Sequence, residues 1–266
     1  MSSGGSSDSP RRIKSLQNAS EILEKIQYLQ APTFARLCEE LELSKGTIHT
    51  YVETLHEEGF VGKSGNQYSL GFRCLTMGET VRNQSDLYQA GQERVRNLAD
   101  ETDEWVHLTA PFRGQEVTVY ESSGDQAIGT DYHLQTRESP QYLHHTATGK
   151  AMLAAFDRER VEEIIDRWGL VRKTPATITD AERLFSELDR ISDQGYAVND
   201  EEEVRGIRSV GTWIQGRDDS VRGGISVTAP SSRFSGEYFN STVPSMVKEA
   251  ANIIEVNLEI ADADAP

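Results

Sequence analysis

Ser44, Lys45, Thr47, His49, Thr50 and Tyr51 crowd into eight residues of this chain, interleaved with the apolar residues Ile48, Val52 and Leu55. On a helix the apolar three share one stripe, which leaves hydroxyl, ammonium and imidazole groups on the other faces. Those groups suit phosphate oxygens and base edges in the major groove of duplex DNA. Lys63, expected at the tip of a following hairpin, would add a phosphate contact. A second polar set lies far downstream. Thr146-Ala147-Thr148-Gly149 opens a helix whose free N–H groups could receive a carboxylate. Asn199 follows Tyr196-Ala197-Val198, and Ser209, Ser226 and Thr228 alternate with Val210, Ile225 and Val227. Alternation turns Ser226 and Thr228 to one face of a sheet. Such convergent polar groups suit a small-molecule pocket, and solvent-facing strands are the plainer reading.

Other chemistry finds little footing. The histidines are His49, His56, His107, His133, His144 and His145, and none stands in an HExxH or CxxC spacing. His144 and His145 are adjacent, so they are expected to point apart, at a pocket entrance or on the sheet. No GxSxG elbow or phosphate-cradling glycine loop occurs, and neither Cys38 nor Cys74 sits in a nucleophile context. Glu201-Glu202-Glu203 reads as a solvated charge run. No metal, cofactor or catalytic residue is expected.

The elements that must hold these groups follow from periodicity. Leu16, Ala19, Ile22, Leu23, Ile26 and Leu29 predict a helix ending at Ala31-Pro32-Thr33. Phe34, Leu37, Cys38 and Leu41 predict a short second helix, and Ser44 is the N-cap of a third that Gly59 closes. A hairpin over 60–70 completes a winged helix-turn-helix over residues 12–73. A linker helix is expected over 74–88, in a helical stretch with a break near Asn83–Ser85. Residues 89–262 then mix elements. Strands are expected at 105–109, 116–120, 126–134 and 196–199, with a hairpin of Ser209–Ile214 and Gly223–Ala229. Helices are expected over Thr146–Phe156, from Asp157 to Trp168, from the capping box Thr179-x-x-Glu182 to Gln194, and over 241–260. The fold class is therefore α+β.

Charge narrows the setting. The 266 residues carry 27 basic and 43 acidic side chains, a net charge of -16. Residues 1–73 hold 8 basic and 9 acidic residues, whereas 74–266 hold 19 and 34. The acidic excess thus lies outside the N-terminal quarter, and only 7 of the basic residues are lysine. Such a surface fits molar salt, where screening within about 3 Å removes self-repulsion. An ordinary acidic cytoplasmic protein would look similar. No run of 18 apolar residues exists, so no membrane span is expected. Two cysteines and the polar start MSSGGSSDSP, without a signal-peptide core, predict a cytoplasmic protein with a disordered tail over 1–11.

Several segments, in order, resemble the IclR-type transcriptional regulators. They are Ile13-Lys14-Ser15-Leu16, Ala35-x-Leu37, Leu43-Ser44-Lys45-Gly46-Thr47-Ile48-His49 and Tyr68-x-Leu70-Gly71, then Leu143–Ala154, Gly195–Glu202 and Gly206–Val210. The resemblance implies a GAF-like C-terminal domain that binds small organic acids or sugar-derived metabolites, on a dimeric or tetrameric scaffold. It implies effector contacts at Ala147, Thr148, Asn199, Ser209, Ser226 and Thr228. Asn199 stands where family members often have Asp, and Ser209 where they often have Cys, which bears on the effector's identity. The expected function is a regulator that binds a pseudo-palindromic operator. A small-molecule-processing enzyme with a helical appendage, or a winged helix that contacts protein, are the alternatives.

Overall fold

In the computed structural model, which describes residues 12–127 and 140–264, the chain divides into two units that meet in sequence between Val81 and Arg82. The expected tail over 1–11 lies outside the described residues.

The first unit holds α1 (Lys14–Leu29), α2 (Phe34–Glu40), α3 (Lys45–Glu57) and the antiparallel hairpin of β1 (Val61–Ser64) and β2 (Gln67–Leu70). Ile22, Ile26, Leu37, Ile48 and Val52 close its core. The helix starts are made locally. The Thr33 hydroxyl accepts from the Arg36 N–H at 3.3 Å, and the Ser44 hydroxyl accepts from the Thr47 N–H at 3.1 Å. Two expectations are corrected here. Leu16 is 65% exposed, and Asn18 occupies the inward position of that turn. Lys63 lies within β1 opposite Tyr68, with the turn at Gly65 and Asn66 beyond it. The wing tip is therefore uncharged. α4 (Phe72–Asn83) follows β2, and it exposes Phe72, Leu75, Met77 and Val81.

The second unit opens with α5 (Asp86–Thr102), capped by the Ser85 hydroxyl, so the helical stretch does break after Asn83. β3 (Trp105–Phe112) and β4 (Gln115–Ser123) turn through Arg113 and Gly114, both at positive φ. Each is longer than the periodicity predicts. The strand expected over 126–134 begins in a turn at Gln126, and from 128 it lies outside the described residues. After β5 (Gln141–Tyr142) and a 3-10 turn, Leu143–His145, come α6 (Ala147–Ala154), α7 (Arg158–Trp168) and α8 (Ala181–Gln194). The last of these is capped one residue later than expected. The Asp180 carboxylate accepts from the Arg183 N–H at 2.9 Å, while the Thr179 hydroxyl accepts from Arg172. β6 (Ala197–Asp200), β7 (Ile207–Gln215), β8 (Val221–Pro230) and α9 (Val243–Asp264) complete the unit.

The six strands form one antiparallel sheet in the order β5-β4-β3-β8-β7-β6. Val106, Leu108, Val210, Ile225 and Val227 pack with α5 and α9. The alternate residues of the same strands turn to the opposite face. There α6 lies against β7 and β8. Two glycines permit its approach. A Cβ on Gly211 would stand 3.1 Å from the Ala147 carbonyl carbon, and one on Gly224 would stand 3.0 Å from Thr148 Cβ. Behind α6, Met152, Leu153, Leu184, Ile191 and Ala197 form a second core.

Candidate functional site

On α3, the structure divides the expected DNA-contact residues into two groups. The Ser44 hydroxyl is 2.8 Å from that of Thr47, and the Thr50 hydroxyl donates to the Gly46 carbonyl at 3.0 Å. These three are turned partly to their own helix. Tyr51 is half-buried against the core. Lys45 and His49 are exposed, the His49 ring standing edge-on to Phe34 at 5.9 Å. Lys63 has its ammonium 5.3 Å from the Tyr68 ring centre and 3.7 Å from the Glu53 carboxylate. Tyr68 first and Glu53 second hold that ammonium above the ordinary lysine range. Lys45 makes no such pair among the described residues. It is the more available cation.

The second site is a cleft of about 40 Å³ between α6 and the sheet. Ala147, Thr148, Ser209, Ser226 and Thr228 all line it, as do His107, Thr109, Glu116, Gln141, Thr146 and Glu203. Strand register assembles the floor, since His107 pairs with Ser226 and Ser209 with Thr228. The Ser209 and Thr228 hydroxyls are 2.9 Å apart. Asn199 is not among the lining residues. Its Oδ1 accepts from the Glu202 N–H at 2.9 Å, which secures the loop after β6.

Glu116 is what periodicity missed. Its carboxylate is buried, and its Oε2 accepts from the Thr148 hydroxyl at 2.8 Å and the Thr109 hydroxyl at 3.0 Å. Burial pushes this carboxyl above its usual range, and the hydroxyls of Thr146, Thr148 and Thr109 pull it partly back. The Thr146 hydroxyl also accepts from the Gly149 N–H at 3.0 Å. The opening of α6, expected to hold free donors for a ligand carboxylate, therefore already has a cap and a carboxylate from β4. Its helix dipole stabilises that negative charge.

The charge run also departs from expectation. Glu202 is buried and paired with Lys150 of α6, while Glu203 lines the cleft. A lone lysine within Ala147-Thr-Gly-Lys-Ala-Met-Leu-Ala was the available signal, since a buried ammonium needs a carboxylate. His144 and His145 do not point apart, because the 3-10 turn brings their ring centres to 5.1 Å. Both are buried, and desolvation drives the His145 imidazole down to about 3. Among the described residues no cluster fit for a metal ion occurs.

Two family models match the chain. IclR helix-turn-helix domain covers residues 15–65, and Bacterial transcriptional regulator IclR C-terminal covers residues 79–256. The chain belongs to the IclR family of transcriptional regulators. It is 44% identical over 255 residues to the “Probable HTH-type transcriptional regulator ArcR” of Halobacterium salinarum, covering 95% of this chain and 96% of that one. The Thermotoga maritima IclR crystal structure aligns at a TM-score of 0.69 and 26% identity, over 93% of this chain and 99% of the other. An IclR homolog from Microbacterium hydrocarbonoxydans, complexed with 4-hydroxybenzoate, aligns at 0.75 and 20% identity, over 91% and 98%. This IclR-family chain thus pairs an N-terminal helix-turn-helix DNA-binding domain with a C-terminal effector-binding domain of mixed α+β structure. The acid-rich, lysine-poor composition is in keeping with a relative from a halophile. No described helix is long and apolar enough to cross a membrane.

Proposed function

We propose that this chain is a non-enzymatic cytoplasmic regulator whose operator binding is set by a small metabolite held in the α6 cleft. Residues 12–73 would contact DNA, 74–88 would link, and 89–262 would bind the effector. Lys45 reaches phosphate, and His49 with Thr47 and Thr50 meets base edges as α3 enters the major groove. Ser44 and Tyr51 position that helix, and Lys63 makes a weaker phosphate contact. The effector is an organic-acid or sugar-derived molecule, a class for which 4-hydroxybenzoate in the Microbacterium relative offers one precedent. One observation carries the reading. Hydroxyls from α6, β7 and β8 converge on a single small cleft in the unit that does not bear α3.

The DNA-bound form is a homodimer or tetramer on a pseudo-palindromic operator. The exposed apolar side chains Ile13, Leu16, Phe72, Leu75, Met77 and Val81 support this, since such groups are costly to leave in water. Two recognition helices would then lie about 34 Å apart.

The test is binding to the DNA upstream of this gene by wild type and Ser226→Ala, with and without a panel of hydroxy acids that includes 4-hydroxybenzoate. Wild type should respond to at least one compound. Ser226→Ala should lose that response, its affinity for ligand falling about ten- to a hundredfold, and keep ligand-free DNA affinity. A normal response from the variant would place the effector elsewhere.

A further inference from the structure

The cleft's polarity says which end of a ligand it receives, an inference that rests on the reading of the cleft as the effector site. Among its described lining residues, Glu116 and Glu203 are carboxylates, His107 is an imidazole, and the other polar groups are neutral hydroxyls and an amide. No lysine or arginine lines it among the described residues. His107 itself has its Nδ1 3.3 Å from the Glu121 carboxylate, so a further acid stands behind it. The α6 N-terminus, the feature that would draw an anion, is faced by Glu116, whose carboxylate the Thr148 and Thr109 hydroxyls already hold. A ligand carboxylate set there would stand beside a buried carboxylate, with no lysine or arginine among the described lining residues to offset the pair. Like charges at that distance in a desolvated site repel strongly.

We propose that the effector enters this cleft with a hydrogen-bond donor foremost, a hydroxyl pair or a protonated nitrogen, which Glu116 and Glu203 receive. Any carboxylate the ligand carries is directed away from Glu116. Glu116 is then the residue that sets the ligand's charge type. Burial pushes its carboxyl upward, and a ligand donor would join the hydroxyls of Thr146, Thr148 and Thr109 in drawing it back. Hydroxyl donors and ammonium donors share this chemistry, and the measurement separates them.

Three-carbon probes present each kind of polar group on one small frame. Binding of propane-1,2-diol, n-propylammonium and propionate to the full chain would be followed by ligand-observed NMR and thermal shift in molar KCl. The diol or the ammonium should bind, and propionate should bind at least about tenfold more weakly. Glu116→Gln keeps the side chain's size and removes its charge, so it should narrow or reverse that ranking. Glu203→Gln, at a less buried position, should move the ranking the same way by less, and it serves if Glu116→Gln does not fold. Diol without ammonium binding would assign hydroxyls, and the opposite pattern a nitrogen cation. Propionate binding to wild type as well as the donors would overturn the inference. So would binding by no probe, or a ranking that neither variant moves. DNA binding measured on the same samples keeps the two readings apart. The expected ranking without any DNA response supports this inference and overturns the regulatory one.

Discussion

Lys150 and Glu202 form an ion pair in which the lysine side chain is 1% exposed and the carboxylate 8%. The ammonium also donates to the Val198 carbonyl at 2.6 Å and lies 3.7 Å from Glu187. The pair ties α6, whose first turn lines the cleft, to the loop after β6. Burial pushes the Glu202 carboxyl up, and Lys150 draws it back. Thr174 and Thr177 hold the same loop by donating to the Glu202 carbonyl at 3.2 and 2.6 Å.

Removing one partner leaves the other charge buried and alone. Lys150→Met should therefore cost about 3–5 kcal/mol of unfolding free energy. Lys150→Met combined with Glu202→Leu should recover most of that loss, because neither charge then remains. Urea unfolding followed by circular dichroism checks both. Equal losses in the single and double variants would mean that packing, and not charge, dominates here.

His145 links stability to acid. Its imidazole lies near pH 3 in the folded chain and near 6.5 when unfolded. Between those values the unfolded state binds more protons, so stability falls as pH falls from about 6.5. The slope from this one group approaches about 1.4 kcal/mol per pH unit. His145→Leu should flatten the pH profile over that window. An unchanged profile would show that other groups govern acid unfolding.

Lys45 and Lys63 should behave differently. Lys45→Ala should weaken binding to all sequences alike and reduce the salt slope by about one unit. Lys63→Ala should do less, because Glu53 already shares that charge. His49→Ala should relax discrimination at one base position by about 1–3 kcal/mol. Gel-shift titrations on operator and random DNA at several salt concentrations separate these outcomes.

Salt should also stabilise the chain itself. With 34 acidic residues against 19 basic ones over 74–266, self-repulsion is large in dilute buffer. Molar KCl shortens the screening length to about 3 Å and should raise the melting temperature. A melting temperature independent of KCl would remove the halophilic reading.

Much of this was legible because the controlling interactions are local. Ser44 caps α3, as its type and place before Ile48, Val52 and Leu55 imply, and those three are all buried. Strand alternation likewise set Ser226 and Thr228 on one face, and both reach the cleft. Glu116 was not legible. It is buried while Val117 beside it is only half-buried, an inversion of hydropathy that no strand pattern predicts. The cause is α6, which covers that face and supplies the Thr148 hydroxyl. Asn199 does not line the cleft, since a buried amide beside a turn bonds its own loop as readily as a ligand.

The helices, the Ser44 cap of α3, the hairpins, the pairing of a helix-turn-helix with an α+β domain, and the uneven charge can all be read from the sequence. These follow from periods of 3.6 and 2, from short-range capping, and from composition. The tertiary structure decided which charges are buried together. Lys150 with Glu202 and Thr148 with Glu116 are 52 and 32 residues apart in sequence. A side chain's spacing cannot show which distant element will cover it, and burial is what turns a solvated carboxylate into part of a site.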